Sequence, residues 1–203
     1  MRVLCVAAHP DDEVLGCGGT MARLASEGAD VHVLLMSEGR SYTPDRYSDA
    51  AKAIGARVPA VYTLPDNAFD TAGQADVCGL AEAHMRLVRP HLVLTHSPND
   101  LNVDHRMTSE AVLVATRTSM ARVLAFEVPS STEWAYGLGG FDPRVFYRID
   151  VDAKLRALEC YESEMRESPH PRSYAGVRAL SMWRGHQAGV DTAEAFVLLR
   201  EVV

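Results

Sequence analysis

RVLCVAAHPDDEVLGCGGTMARLASEGADVHVLLM, residues 2–36, is the stretch that decides the fold. Val3 to Ala8 is an unbroken apolar run of strand length, as a strand buried on both faces requires. Met21, Leu24 and Ala25 then recur at helical spacing within Gly16 to Glu27, and Val31 to Met36 is a second apolar run. A strand, helix and strand within roughly thirty residues is the usual form of a right-handed parallel crossover. The pattern continues outward. Asp45 to Gly55 reads as a short helix, Val61 to Leu64 as a short strand, Gln74 to Arg89 as a helix and His91 to His96 as a strand ended by SPNDLN. A helix starting near Asp104 or His105 and a strand from Arg122 to Val128 follow. Such alternation predicts an α/β fold, a doubly wound, mostly parallel sheet with helices on both faces.

The remainder is less regular. Residues 129–143, PSSTEWAYGLGGFDP, lack periodicity and read as an active-site loop or a surface excursion. Arg144 to Ile149 alternates like an edge strand, Asp152 to Arg166 reads as one helix broken by SPHPRS, and Tyr174 to His186 reads as a last helix before the short apolar run Ala195 to Leu199. With 203 residues, 47% hydrophobic and 23% charged, the chain is the size of a single domain spanning 1–203 with a sizeable core. A formal charge of −7 and a pI near 5.6 argue against a general nucleic-acid binder, which needs clustered Lys and Arg. Neither an export signal nor a membrane span is indicated, and the scattered Cys5, Cys17, Cys78 and Cys160 fit reduced thiols, so the expected location is cytoplasmic.

The chemistry begins where the first strand ends, in HPDDE at 9–13. Carboxylates crowded at the end of a core element raise each other's cost unless a positive charge sits among them. A bound cation answers that requirement. In a doubly wound sheet, ligands gather outside the carboxyl ends of the strands. His9, Asp11, Asp12 and Glu13 lie at one such end; Asn99, Asp100, Asn102, Asp104 and His105 lie at another, after His96. A His/His/Asp set drawn from these loops suits a catalytic zinc with an open fourth position.

AHPDDEVLGCGGT together with NDLNVDHRMTSEAV resembles the LmbE/PIG-L family of zinc-dependent sugar N-deacetylases, and KLRALECYESE and RGHQAGVDTAEAF are similar to that family's C-terminal pattern. The resemblance implies a Rossmann-like fold, Zn2+ (with Fe2+ as the alternative) held by His9, Asp12 and His105, and Asp11 as general base. The activity it implies is hydrolysis of an N-acetyl group on an amino sugar of the N-acetylglucosamine type, giving acetate and a free amine. It is compatible with a homo-oligomer. One position departs from the family pattern: many members read His-x-Asp-His where this chain reads Asn102-Val103-Asp104-His105. Asn can donate a hydrogen bond to an oxyanion but cannot deliver a proton. Asp11 would then carry the proton to the leaving amine, or His186 would reach in, and Asp104 would orient His105.

Other residues have weaker claims. Arg40 and Arg46 follow the second strand, where they could bind a sugar, although arginines in loops are commonly just solvated. Glu127 and Trp134 belong to a polar and aromatic group after the fifth strand that suits a sugar ring, with an ordinary anchored loop as the plain reading. Glu13 is a candidate for a hydrogen bond to a metal ligand, His96 for the pocket wall, and Arg184 and Glu194 for the site or for pairing with each other. GCGGT lacks the GxGxxG spacing of a dinucleotide fingerprint; its glycines read as allowing close helix-to-sheet packing. Two competing functions are a metal- and sugar-binding protein without turnover and a zinc hydrolase of another amide or ester.

Overall fold

The computed structural model describes residues 1–39 and 44–203. The first unit forms as its apolar periodicity dictates: β1 (Arg2–Ala7), α1 (Asp12–Ser26) and β2 (Asp30–Leu35). After it come α2 (Pro44–Ala53), β3 (Ala60–Val61), α3 (Phe69–Ala72), α4 (Gln74–Val88), β4 (Leu92–His96), α5 (Val103–Thr116) and β5 (Arg122–Phe126). The C-terminal part supplies β6 (Val145–Arg148), α6 (Val151–Leu158), a 3₁₀ segment (Glu159–Glu164), α7 (Tyr174–Ala188) and β7 (Ala193–Arg200).

The strands form one seven-stranded sheet in the order β3-β2-β1-β4-β5-β7-β6. The first five strands are parallel, and β7 runs antiparallel between β5 and β6. The chain winds outward from β1 in both directions. The reversal falls between β1 and β4, paired Val3↔Leu92 and Cys5↔Leu94, and a crevice opens there beyond the carboxyl ends of both strands. Alternate residues of β1 feed two cores: Val3, Cys5 and Ala7 pack with α1, α6 and α7, while Leu4, Val6 and Ala8 pack with α3, α4 and α5.

The glycines of α1 fit close against the sheet, as the sequence suggests. A methyl on Gly16 would overlap the Phe126 ring, and one on Gly19 would overlap Ile149. Two expected boundaries move. The helix expected from Gly16 begins at Asp12, placing Asp12 and Glu13 in its first turn, where negative charge suits the dipole. The helix expected over 152–166 stops at Leu158 and tightens into 3₁₀ geometry, with Tyr161 turned out of helical φ/ψ so that its hydroxyl meets Glu13. Among the described residues, no helix is long and apolar enough to cross a membrane.

Candidate metal centre and active site

The reversal point brings the two sequence motifs together. Asp11 closes the turn between β1 and α1 in a left-handed conformation, φ 96°, and its carbonyl accepts the first helical N–H bonds, from Val14 and Leu15. A non-glycine residue held there costs on the order of 1–3 kcal/mol and is characteristic of functional sites. The turn sends Asp11 and Asp12 in different directions. On the neighbouring loop, Asn102 caps α5 by accepting from the Asp104 N–H at 2.8 Å, which fixes Asp104 and His105 in the first helical turn.

His9 Nδ1 and His105 Nε2 each lie 3.2 Å from Asp12 Oδ2, and the three donor atoms are mutually within 4.8 Å. Ligands about 2.0–2.1 Å from one tetrahedral ion sit roughly 3.3 Å apart, so two imidazoles and a carboxylate at this spacing fit a divalent ion such as zinc. The far side of each ring meets a carboxylate. His9 Nε2 is 3.0 Å from Asp104 Oδ2 and 3.3 Å from Asp66 Oδ1. His105 Nδ1 is 3.1 Å from Asp100 Oδ1. Asp100 is fully buried and also accepts from the hydroxyls of Ser131 and Thr132. The expectation that Asp104 orients His105 is therefore corrected. Asp104 faces His9 and accepts the Phe69 N–H, while Asp100 faces His105.

The electrostatics follow from this arrangement. Burial disfavours the charged form of His9, but hydrogen bonds to Asp104 and Asp12 outweigh it and raise the imidazole to about 10. For His105, burial is likewise outweighed by Asp12 and Asp100, and the group rises to about 9. Burial pushes the Asp12 carboxyl up, yet His105 and His9 hold it well below the usual range. His96, stacked on His105 at 4.0 Å, accepts the Ala8 N–H through Nε2. Burial first, then the charge of His105, lowers His96 to about 3 and keeps it neutral beneath the site, away from the pocket wall.

Asp11 is 2% exposed. Burial pushes its carboxyl well above the ordinary range, Arg172 pulls it back, and Asp12 and Glu13 push it further up. Its N–H donates to Glu13 Oε2 at 3.0 Å, and Glu13 Oε1 accepts the Tyr161 hydroxyl at 2.6 Å. Glu13 thus bonds the Asp11 N–H and the Tyr161 hydroxyl, and no side chain of the His9, Asp12 and His105 set. Above the cluster lies a pocket of about 290 Å³, lined among others by Arg46, Asp66, Asn67, Asn102, Arg166 and Arg172.

The remaining candidates separate clearly. Arg46 lies on α2, lines the pocket and donates to Ser163 Oγ at 2.8 Å; Arg40 lies outside the described residues. Glu127 stands away from the pocket because Arg184 grips both its oxygens, at 2.7 and 2.6 Å. Trp134 packs edge-on to His170 at 5.7 Å outside the pocket lining, and His186 is exposed in the last turn of α7. Arg184 and Glu194 do not pair with each other. Glu194 instead bonds Lys154 Nζ at 2.8 Å and the N–H groups of Gly19 and Thr20. Sequence reasoning missed Asp66, Tyr161, Arg166 and Arg172, which come from segments with no metal-ligand spacing; the loop position of Asp100 was the one available signal for its role.

A doubly wound sheet carrying a His/His/Asp cradle at its reversal point, with a second carboxylate, that of Asp11, beside it, has the layout of a metal-dependent hydrolase. The family model for PIG-L, described as GlcNAc-PI de-N-acetylase, matches residues 4–116. The chain belongs to the PIG-L (LmbE-like) family. It is 29% identical to the uncharacterized deacetylase YaiS of Escherichia coli K12 over 79% of this chain and 90% of that protein. It is 30% identical to the 1D-myo-inositol 2-acetamido-2-deoxy-alpha-D-glucopyranoside deacetylase of Rhodococcus opacus over 56% of this chain and 54% of that enzyme, and so spans about half of that relative's length. The crystal structure of the conserved protein TT1542 from Thermus thermophilus superposes with a TM-score of 0.80 at 26% identity, over 99% of this chain and 96% of that one.

Proposed function

We propose that the protein is a zinc-dependent hydrolase that removes the acetyl group from an N-acetylglucosamine-type amino sugar or its conjugate, releasing acetate and a free amine. The observation that carries this reading is the cluster of His9, Asp12 and His105 at the floor of a polar pocket with Asp11 beside it. Family membership and the relatives' named substrates support the sugar. His9, Asp12 and His105 would hold the zinc, whose chemistry when bound is to polarise the acyl oxygen and make water a nucleophile near neutral pH.

The chain's own residues supply the rest. Asp11 accepts a proton from water as the water oxygen bonds to the acyl carbon, then returns it to the departing nitrogen as the C–N bond breaks. One carboxylate does both steps because Asn102 has no proton to give. Both polar atoms of the Asn102 side chain are engaged, Oδ1 by the Asp104 N–H and Nδ2 by Asn67 Oδ1 at 3.1 Å, which supports a role in shaping the wall. Arg46 and Asp66, both in the pocket lining, would offer a donor and an acceptor to sugar hydroxyls. The four free cysteines support work in a reducing compartment such as the cytoplasm.

The test is acetate release from N-acetylglucosaminyl inositol and N-acetylglucosamine, with metal content measured in parallel. Chelation should abolish release and zinc restore it, and Asp11→Asn should lower turnover by about 10²–10⁴-fold with zinc retained. Full turnover in Asp11→Asn would remove Asp11 as the base.

A further inference from the structure

Asp11 belongs to the first motif, yet the groups that hold it come from the other end of the chain. Its N–H is tied to Glu13, which is tied to Tyr161; its Oδ2 is met by Nη2 of Arg172. Tyr161 and Arg172 both lie beyond the segment matched by the family model, which ends at residue 116. We propose that Arg172 is a positioning residue that clamps one oxygen of Asp11 and leaves the other turned to the reacting water, an inference that rests on reading Asp11 as the base.

Geometry supports a purpose-built clamp. The Arg172 backbone is fixed from several directions: its N–H donates to His170 Nδ1 at 3.1 Å, its carbonyl accepts the Arg166 N–H, and it directly precedes Ser173, which caps α7 by accepting from the Gly176 N–H at 3.0 Å. Gly176 allows this turn to close, since any larger residue there would strike the Pro171 carbonyl. A stiff loop therefore delivers a long, otherwise adaptable side chain to one place. Its Nε is buried without an acceptor among the described residues, so Asp11 is the side-chain anchor of the guanidinium. Arginine suits this task because its planar fork stays charged and fixes the plane of the carboxylate it meets. Asp11 needs such fixing. Its backbone sits at φ 96°, and Asp12 and Glu13, both in the first turn of α1, repel its carboxylate.

The experiment uses the metal-loaded full chain with N-acetylglucosaminyl inositol as probe. Arg172→Met should lower kcat by about 100-fold, the scale of misplacing a reacting group by an ångström. Zinc content should stay within about twofold, because the ligands are not touched, and the loss should fall on kcat more than on KM although Arg172 lines the pocket. Arg172→Lys should recover part of the loss, and adding Arg172→Met to Asp11→Asn should cause no further loss, since the clamp would have no base to place. An unchanged kcat in Arg172→Met, or the same 100-fold loss on top of Asp11→Asn, would overturn the proposal. Substantial turnover in Asp11→Asn alone would instead overturn the reading of the base. A crystal structure of Arg172→Met gives a readout independent of substrate: a rotated or disordered Asp11 carboxylate supports the clamp, and an unmoved one overturns it.

Discussion

Asp100 Oδ1 stands 3.1 Å from His105 Nδ1, on the side of the ring opposite Asp12. A carboxylate behind a metal-binding imidazole fixes its tautomer and raises its basicity. Asp100 is itself locked by the Asn102 N–H and the hydroxyls of Ser131 and Thr132, so it links the ligand loop to the loop after β5. Asp100→Asn should weaken zinc binding by about 10–100-fold while leaving the far-ultraviolet circular dichroism unchanged. Competition with a chromophoric chelator measures the affinity. An unchanged affinity would reduce Asp100 to a loop anchor.

Zinc binding should release protons. Burial opposes charge on both imidazoles, but Asp104 and Asp12 raise His9 to about 10, and Asp12 and Asp100 raise His105 to about 9. In chelator-stripped protein at pH 7 both rings are therefore protonated, and both protons must leave before nitrogen can bind metal. Isothermal titration in buffers of different ionisation enthalpy should report about two protons released per zinc. The sign follows: affinity falls as pH falls, by up to about 100-fold per unit, and levels off only above the raised values. A release near zero would mean that the rings are neutral.

The first crossover was legible in the sequence because its apolar periods change cleanly between Ala8, Met21 and Val31, and that crossover places HPDDE at a strand end. Adjacency of β1 and β4 follows from outward winding, which made the meeting of His9 with His105 legible as well. Pairing at the next level was not. Asp100 lies on the loop before α5 and Asp104 in its first turn beside His105, and their identities do not say that the nearer carboxylate in sequence serves the ring that follows β1. Arg172 was hidden for a different reason: a lone arginine in a proline-rich break has no periodicity, and only tertiary packing brings it to Asp11. Glu127 and Glu194 were both candidates for the site, but each is held by a cation from a C-terminal helix, Arg184 and Lys154 respectively.

Lys154 and Glu194 form a buried pair at 2.8 Å, with Lys154 Nζ also donating to the Leu15 carbonyl and Glu194 accepting from Gly19 and Thr20. These bonds satisfy backbone groups where α1 leaves helical geometry at Cys17. Removing one partner strands a buried charge, so Lys154→Met should destabilise the fold by roughly 3–5 kcal/mol in urea denaturation. Lys154→Met with Glu194→Gln should recover part of that loss, because the amide carries no stranded charge and its one oxygen still accepts one of the two bonds from Gly19 and Thr20. A single variant within about 1 kcal/mol of the parent, by the same scale, would show that water reaches the pair.

Asn102 opens the segment Asn102-Val103-Asp104-His105, and its bonds explain what it does there. Its Oδ1 caps α5 through the Asp104 N–H, and its Nδ2 ties that helix start to Asn67 beside Asp66. Asn102→Ala should therefore cost about 1 kcal/mol of stability, the usual worth of a lost cap. It should also lower kcat by roughly tenfold through loosening of Asp104 and His9, far less than the loss of a proton-transfer group. Thermal unfolding and acetate release on the same samples separate the two effects. A fall in kcat as deep as that of Asp11→Asn, with zinc content unchanged, would make Asn102 a direct participant in the chemistry and no longer a cap that shapes the wall.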